Sequence, residues 1–203
     1  KIRASDAVLS SQGIGNALYG LQGMSSDHVE VRDLLAALLA KVSQSEDTLS
    51  PQGIGNCLYG LKQMHSDCTE VLTLVGLLAS KIAQSDVVLK AQHVSNALLG
   101  LQGMRSERAE VRRLIIALCP KITQSAEAWQ SQTVANALYG LQGMRSGEAE
   151  VRHLLGVLQE KLATCPEALT CQGVGNSLYG LQGMTSAHPE VRGVYQVWAR
   201  KAP

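Results

Sequence analysis

The stretch QGIGNALYGLQGM at residues 12–24 returns as QGIGNCLYGLKQM from 52, QHVSNALLGLQGM from 92, QTVANALYGLQGM from 132 and QGVGNSLYGLQGM from 172, each copy 40 residues after the last. No other property constrains the fold as tightly, because a fixed period of this size marks an array in which each unit is one supersecondary element stacked on its neighbours. The 203 residues therefore count units and not domains. The chain is read as one array over 1–203, with units at 12–51, 52–91, 92–131, 132–171 and 172–203. KIRASDAVLSSQG at the start overlays KIAQSDVVLKAQH at 81–93, so residues 1–11 are read as the tail of a preceding unit and a longer array is expected.

Each unit predicts two helices. In residues 12–24 the apolar positions Ile14, Leu18, Leu21 and Met24 recur at spacings of four, three and three, the pattern of an amphipathic helix. Ser10 precedes this helix, here termed helix A; in the next copy Ser50 is followed by Pro51, a capping residue and then a proline suited to a first helical turn. A polar connector with Ser26, Ser66, Ser106, Ser146 and Ser186 at one equivalent place leads to a second apolar series, Val31, Leu34, Leu35, Leu38 and Val42. Glu30 and Lys41 stand at the two ends of this helix B, each complementing the helix dipole, and the same charges return at Glu70, Glu110, Glu150 and Glu190 and at Lys81, Lys121, Lys161 and Lys201. A third, polar segment holds one apolar anchor per unit, Leu49, Leu89, Trp129 or Leu169, and has room for one further helical turn at most. A helical hairpin cannot bury its apolar faces alone. The expected fold is all-α, a right-handed α-solenoid of about five helix-turn-helix units, the hand following other helical-hairpin arrays.

Helix A at 100° per residue sets Ile14, Leu18 and Leu21 toward the core and Gln12, Asn16 and Tyr19 on the opposite side. Helix A is assigned to the concave layer, which then presents a ladder of Gln12, Gln52, Gln92, Gln132 and Gln172 beside Asn16, Asn56, Asn96, Asn136 and Asn176. Tyr19, Tyr59, Tyr139 and Tyr179 flank it, with Leu99 breaking the series. Two readings stand. Stacked amides can satisfy one another between units, or amides beside flat rings can hold the edges and faces of unpaired bases. Gly13, Gly15, Gly20 and Gly23 each cost a helix about 1 kcal/mol against alanine. Either close helix packing or close approach of a ligand backbone offsets that cost. A phosphate-binding loop is excluded, since no strand precedes GIG and no Gly-Lys-Ser/Thr follows.

The variable positions are informative because the rest is copied. The second position of the unit reads Gly13, Gly53, His93, Thr133, Gly173, and the fourth Gly15, Gly55, Ser95, Ala135, Gly175. If the groove discriminates bases, His93 with Ser95 and Thr133 with Ala135 are the residues that distinguish units three and four from the others. Arg105, Arg112, Arg113, Arg145 and Arg152 form the main basic concentration, a solvated helix face or a phosphate track.

Composition removes several classes of function. A formal charge of +1 is low for a strong non-specific nucleic-acid binder. No stretch approaches the roughly 18 uninterrupted apolar residues of a membrane span, so no membrane insertion is expected. Cys57, Cys68, Cys119, Cys165 and Cys171 occupy five different places in the repeat and are read as free thiols in a reducing compartment. The histidines are scattered, no pair has metal-ligand spacing, and no serine or cysteine has a recurring base partner. No enzyme, metal or cofactor is expected.

The core NALYGLQGM after a Ser/Pro-Gln start resembles the octotricopeptide repeat, a helical-hairpin family of organellar RNA-binding factors. The match runs through Asn16, Ala17, Leu18 and Tyr19 and returns from Asn56, Asn136 and Asn176. The resemblance implies recognition of single-stranded RNA, a nucleotide per repeat, in a mitochondrion or plastid, in RNA processing, stability, translation or ribosome assembly, with proteins of an organellar RNA or ribosomal complex as further partners. On that implication the RNA-contacting residues are the Gln, Asn and Tyr ladders with His93, Ser95, Thr133, Arg105 and Arg145. The alternative is a protein-binding scaffold, favoured by the near-zero charge and low aromatic content.

Overall fold

The computed structural model describes residues 8–201, so most of the expected preceding-unit tail lies outside the described residues. Among them there are ten helices and no strand: α1 (Ser11–Tyr19), α2 (Val29–Gln44), α3 (Pro51–Tyr59), α4 (Thr69–Ala83), α5 (Ala91–Leu99), α6 (Ala109–Gln124), α7 (Ser131–Tyr139), α8 (Ala149–Thr164), α9 (Cys171–Gly180) and α10 (Pro189–Lys201). They fall at helix A and helix B of each copied unit. Each odd-numbered helix packs on the next odd-numbered one and each even-numbered helix on the next even-numbered one, which makes two rows. A single apolar cluster draws on both rows, from Ile14, Leu18 and Leu35 at one end to Val191, Val194 and Trp198 at the other.

Helix A is shorter than its sequence pattern. The apolar spacing runs to Met24, yet α1 ends at Tyr19 and the chain tightens into turns, with the Leu21 N–H donating to Leu18 at 3.0 Å and the Met24 N–H to Leu21 at 2.8 Å. From the second unit on, the glycine that follows helix A meets the unit before it. A Cβ on Gly60 would lie 1.9 Å from the Leu18 carbonyl oxygen of the preceding unit, and one on Gly103 would lie 2.1 Å from that of Met64. Neighbouring connectors therefore touch backbone to backbone, and glycine is required there for close approach. Packing between units accounts for the helix-end glycines Gly60, Gly100, Gly140 and Gly180, whereas Gly20 and Gly23 of the first unit make no such contact.

Polar contacts repeat at the same interfaces. The buried hydroxyls of Ser26, Ser66, Ser106 and Ser146 accept the backbone N–H of His65, Arg105, Arg145 and Thr185 in the next unit, at 3.0, 3.0, 2.9 and 2.9 Å. Each pairs a buried hydroxyl with a backbone amide of the next unit. At the far end of helix B, the Lys81 Nζ donates to the Ser45 carbonyl at 2.5 Å and the Lys161 Nζ to that of Ser125 at 2.6 Å. Lys121 and Lys201 make the same bond to Ser85 and Cys165. The copied lysine thus closes the end of the preceding unit's helix B as well as complementing its own dipole. The third segment adds no helix. It runs extended, and its anchors Leu49, Leu89, Trp129 and Leu169 are buried.

Candidate nucleic-acid interface

The start of each odd-numbered helix aims the ladder residues. Ser10, Ser50 and Thr170 accept the N–H of Gly13, Gly53 and Gly173 at 3.2, 3.0 and 3.0 Å. Units three and four have Lys90 and Gln130 at that place; a carboxylate of the third segment takes the first N–H of the helix in units one, three and four, Asp47 that of Ser11 at 2.9 Å, Glu127 that of Ala91 at 3.1 Å and Glu167 that of Ser131 at 2.9 Å. The bond from Ser131 holds the Glu167 carboxyl below its usual range. The five ladder glutamines are exposed. Asn16 is exposed and Asn56, Asn96, Asn136 and Asn176 are half-buried. Gln12, Asn16, Gln52 and Asn56 converge with Ser11, Gly15, Ser50 and Gly53 on a cleft of about 300 Å³ between α1 and α3. In unit four the amides bond within one helix, Gln132 Nε2 to Asn136 Oδ1 at 2.8 Å.

The tyrosines pair across units. Tyr19 and Tyr59 stack with centroids 5.7 Å apart and planes at 22°, and Tyr139 and Tyr179 repeat that geometry. Rings at this separation are already in mutual contact, so neither pair has room for a flat group between its rings. Leu99 is the break between the two pairs. Lys62 lies with its Nζ 4.5 Å from the Tyr59 ring centroid.

The variable residues are not equivalent. His93 and Thr133 are half-buried beside the ladder. His93 Nδ1 accepts the Lys90 N–H at 3.3 Å, and burial, aided by the nearby Lys90 charge, lowers its pKa. Ser95 is only 4% exposed and Ala135 is wholly buried. The expectation that the fourth position faces the groove is therefore corrected: it lies against the next helix of its own row, because a residue two places further round a short helix turns out of the open side and into the stack.

The arginines are engaged inside the protein. Arg32, Arg112, Arg152 and Arg192 each donate to two carbonyls of their own connector, for Arg112 those of Ser106 and Glu107 at 2.8 and 2.9 Å. Leu72 holds this position in unit two and lacks the brace. Arg105 pairs with Asp67 at 3.5 Å and Arg145 with Glu107 at 3.7 Å, both partners belonging to the preceding unit. The Arg108 hydrogen bond and then the Arg105 charge hold the Asp67 carboxyl below its usual range. These pairs are exposed and open to exchange with a ligand, so Arg105 and Arg145 are not committed to the fold as Arg112 and Arg152 are.

Among the described residues no group of three or more His, Cys, Asp or Glu could hold a metal, and no helix is long and apolar enough to cross a membrane. Burial pushes the Cys57 and Cys119 thiols up to about 12, so neither supplies a thiolate near neutral pH. A thiol reagent at pH 8 is expected to label the exposed Cys171 first, with Cys57, Cys119 and Cys165 silent until denaturant is added. Labelling of Cys57 as fast as Cys171 in the folded protein would contradict this burial. Comparison with family models, with curated proteins and with solved structures finds no match to the chain.

Proposed function

We propose that the chain is a right-handed α-solenoid of about five units repeating every 40 residues that binds single-stranded RNA along its odd-numbered helices. The observation that carries the reading is the cleft between α1 and α3, where four carboxamides converge on a solvent-open face that stacked tyrosines continue. Amides supply donors and acceptors for base edges, and the ends of the tyrosine pairs supply flat surfaces for base faces. The resemblance to octotricopeptide repeats supports the same assignment and suggests an organellar role in RNA processing, stability, translation or ribosome assembly. Affinity on this reading comes from stacking and hydrogen bonds more than from phosphate contacts, with Arg105 and Arg145 as the positive charges that can exchange partners.

Fluorescence anisotropy with short single-stranded RNAs tests it. The expected result is saturable binding with a shallow salt dependence, since few phosphates are neutralised. Replacing both Tyr59 and Tyr139 by leucine, the residue already present at Leu99, should weaken binding about tenfold with the helical signal unchanged. A second reading, a scaffold for a protein partner, is favoured by the internal engagement of Arg32, Arg112, Arg152 and Arg192. Absence of binding to every RNA, at concentrations on the order of 10⁻⁵ M where non-specific binders already register, would favour that reading instead.

A further inference from the structure

This inference rests on the RNA reading and refines where a base is read. The two variable positions of one unit do not face each other. A Cβ on Gly15 would lie 3.3 Å from Gly53 Cα, and one on Gly55 would lie 3.2 Å from His93 Cα. A Cβ on Gly173 would lie 3.5 Å from the Ala135 Cβ. The fourth position of each unit thus meets the second position of the next, and the same register sets Ser95 beside Thr133. Four junctions carry four different pairs: Gly15 with Gly53, Gly55 with His93, Ser95 with Thr133, and Ala135 with Gly173.

Only the first junction has glycine on both sides, and there a cleft of about 300 Å³ opens between the rungs. Among the described residues the carboxamides of Gln12, Asn16, Gln52 and Asn56 make no hydrogen bond to protein, and no charged side chain lines the cleft. Each carboxamide offers two donors and an acceptor. A phosphate would find no counter-charge in this cleft, whereas a flat, neutral ring with donors and acceptors on its edge would find partners on both sides. We propose that the junction between units one and two is a nucleobase subsite, in which Gln and Asn from two adjacent units read one base, and that the residue pair across a junction sets which base enters.

The test transplants one junction of this chain onto another. Gly15→Ser and Gly53→Thr, with Ser50→Gln because a Cβ on Gly53 would lie 3.1 Å from the Ser50 hydroxyl, reproduce the residues found at 95, 133 and 130. The variant gives up the Ser50 cap and is expected to keep the fold at lower stability, which circular dichroism and thermal melting check. The whole chain, nitrogen-15 labelled, is titrated with uridine, cytidine, adenosine and guanosine, and the side-chain amide signals of Gln12, Asn16, Gln52 and Asn56 are followed by NMR. The expected result is a saturable shift of these signals, with a preference among the nucleosides, weakened about tenfold in the triple variant. No shift with any nucleoside, or an equal response in the variant, overturns the proposal. So does an equal response to N-methylacetamide, which carries a peptide group and no ring. RNA binding measured in parallel separates the two claims: RNA binding without nucleoside shifts overturns the subsite alone, and nucleoside shifts without RNA binding support the subsite and remove the wider reading.

Discussion

Gly100→Ala is expected to lower stability by about 3 kcal/mol, the upper part of the range for a forced overpacking. The added Cβ would lie 1.9 Å from the Leu58 carbonyl oxygen, 2.3 Å from its carbon and 2.8 Å from the Tyr59 nitrogen. All three are backbone atoms, so no side chain can swing aside. The third unit must withdraw from the second, and the row contact of α3 with α5 loosens with it. In a chain of this size the melting temperature should fall by about 6–12 °C, with a tendency to split into two transitions because units are coupled only to their neighbours. Gly156→Ala is the control. Nothing lies within 4 Å of its added Cβ, and in the interior of α8 alanine should raise stability by about 1 kcal/mol. Urea melts of both variants measure the contrast, and a Gly100→Ala change within about 0.5 kcal/mol of the parent would mean that the units are not held at this backbone contact.

Trp129→Ala should cost about 3–5 kcal/mol. The indole is 1% exposed at the anchor position of the third segment. Three other units place leucine there, all buried: Leu49, Leu89 and Leu169. Trp129→Leu should therefore cost less, about 1–3 kcal/mol, because leucine fills part of the volume and leaves a smaller cavity. The indole N–H is also buried without a hydrogen-bond partner, so leucine removes a desolvated donor while it gives up contact area. Denaturant melts of the two variants distinguish an apolar anchor from a specific requirement for the indole. Equal losses for leucine and alanine would reject the anchor role.

Sequence periodicity alone located the helices of every copied unit, the anchors of the third segment and the exposed side of helix A. These are properties of one chain segment at a time: 3.6 residues per turn assigns Gln12 and Asn16 to one side and Ile14 and Leu18 to the other, whatever lies beyond. The scattered repeat positions of the cysteines likewise marked them as unpaired. What periodicity does not carry is the identity of the neighbour that meets each face. In the second unit Gly60, directly after the helix that ends at Tyr59, meets the Leu18 carbonyl of the preceding unit. The connector serine bonds an amide 39 residues away, a partner invisible in any local window.

The site divides along the same line. The Gln ladder was legible, since exposure on a helix follows from register. The stacking of Tyr19 on Tyr59, the brace made by Arg112 and the burial of Ser95 and Ala135 were not. Each depends on the distance and rotation between adjacent units, and those are set by many backbone contacts acting together. Sequence determined what each unit presents; the tertiary structure alone decided that the fourth residue of one unit is answered by the second residue of the next, because stacking brings together residues that the 40-residue period keeps apart.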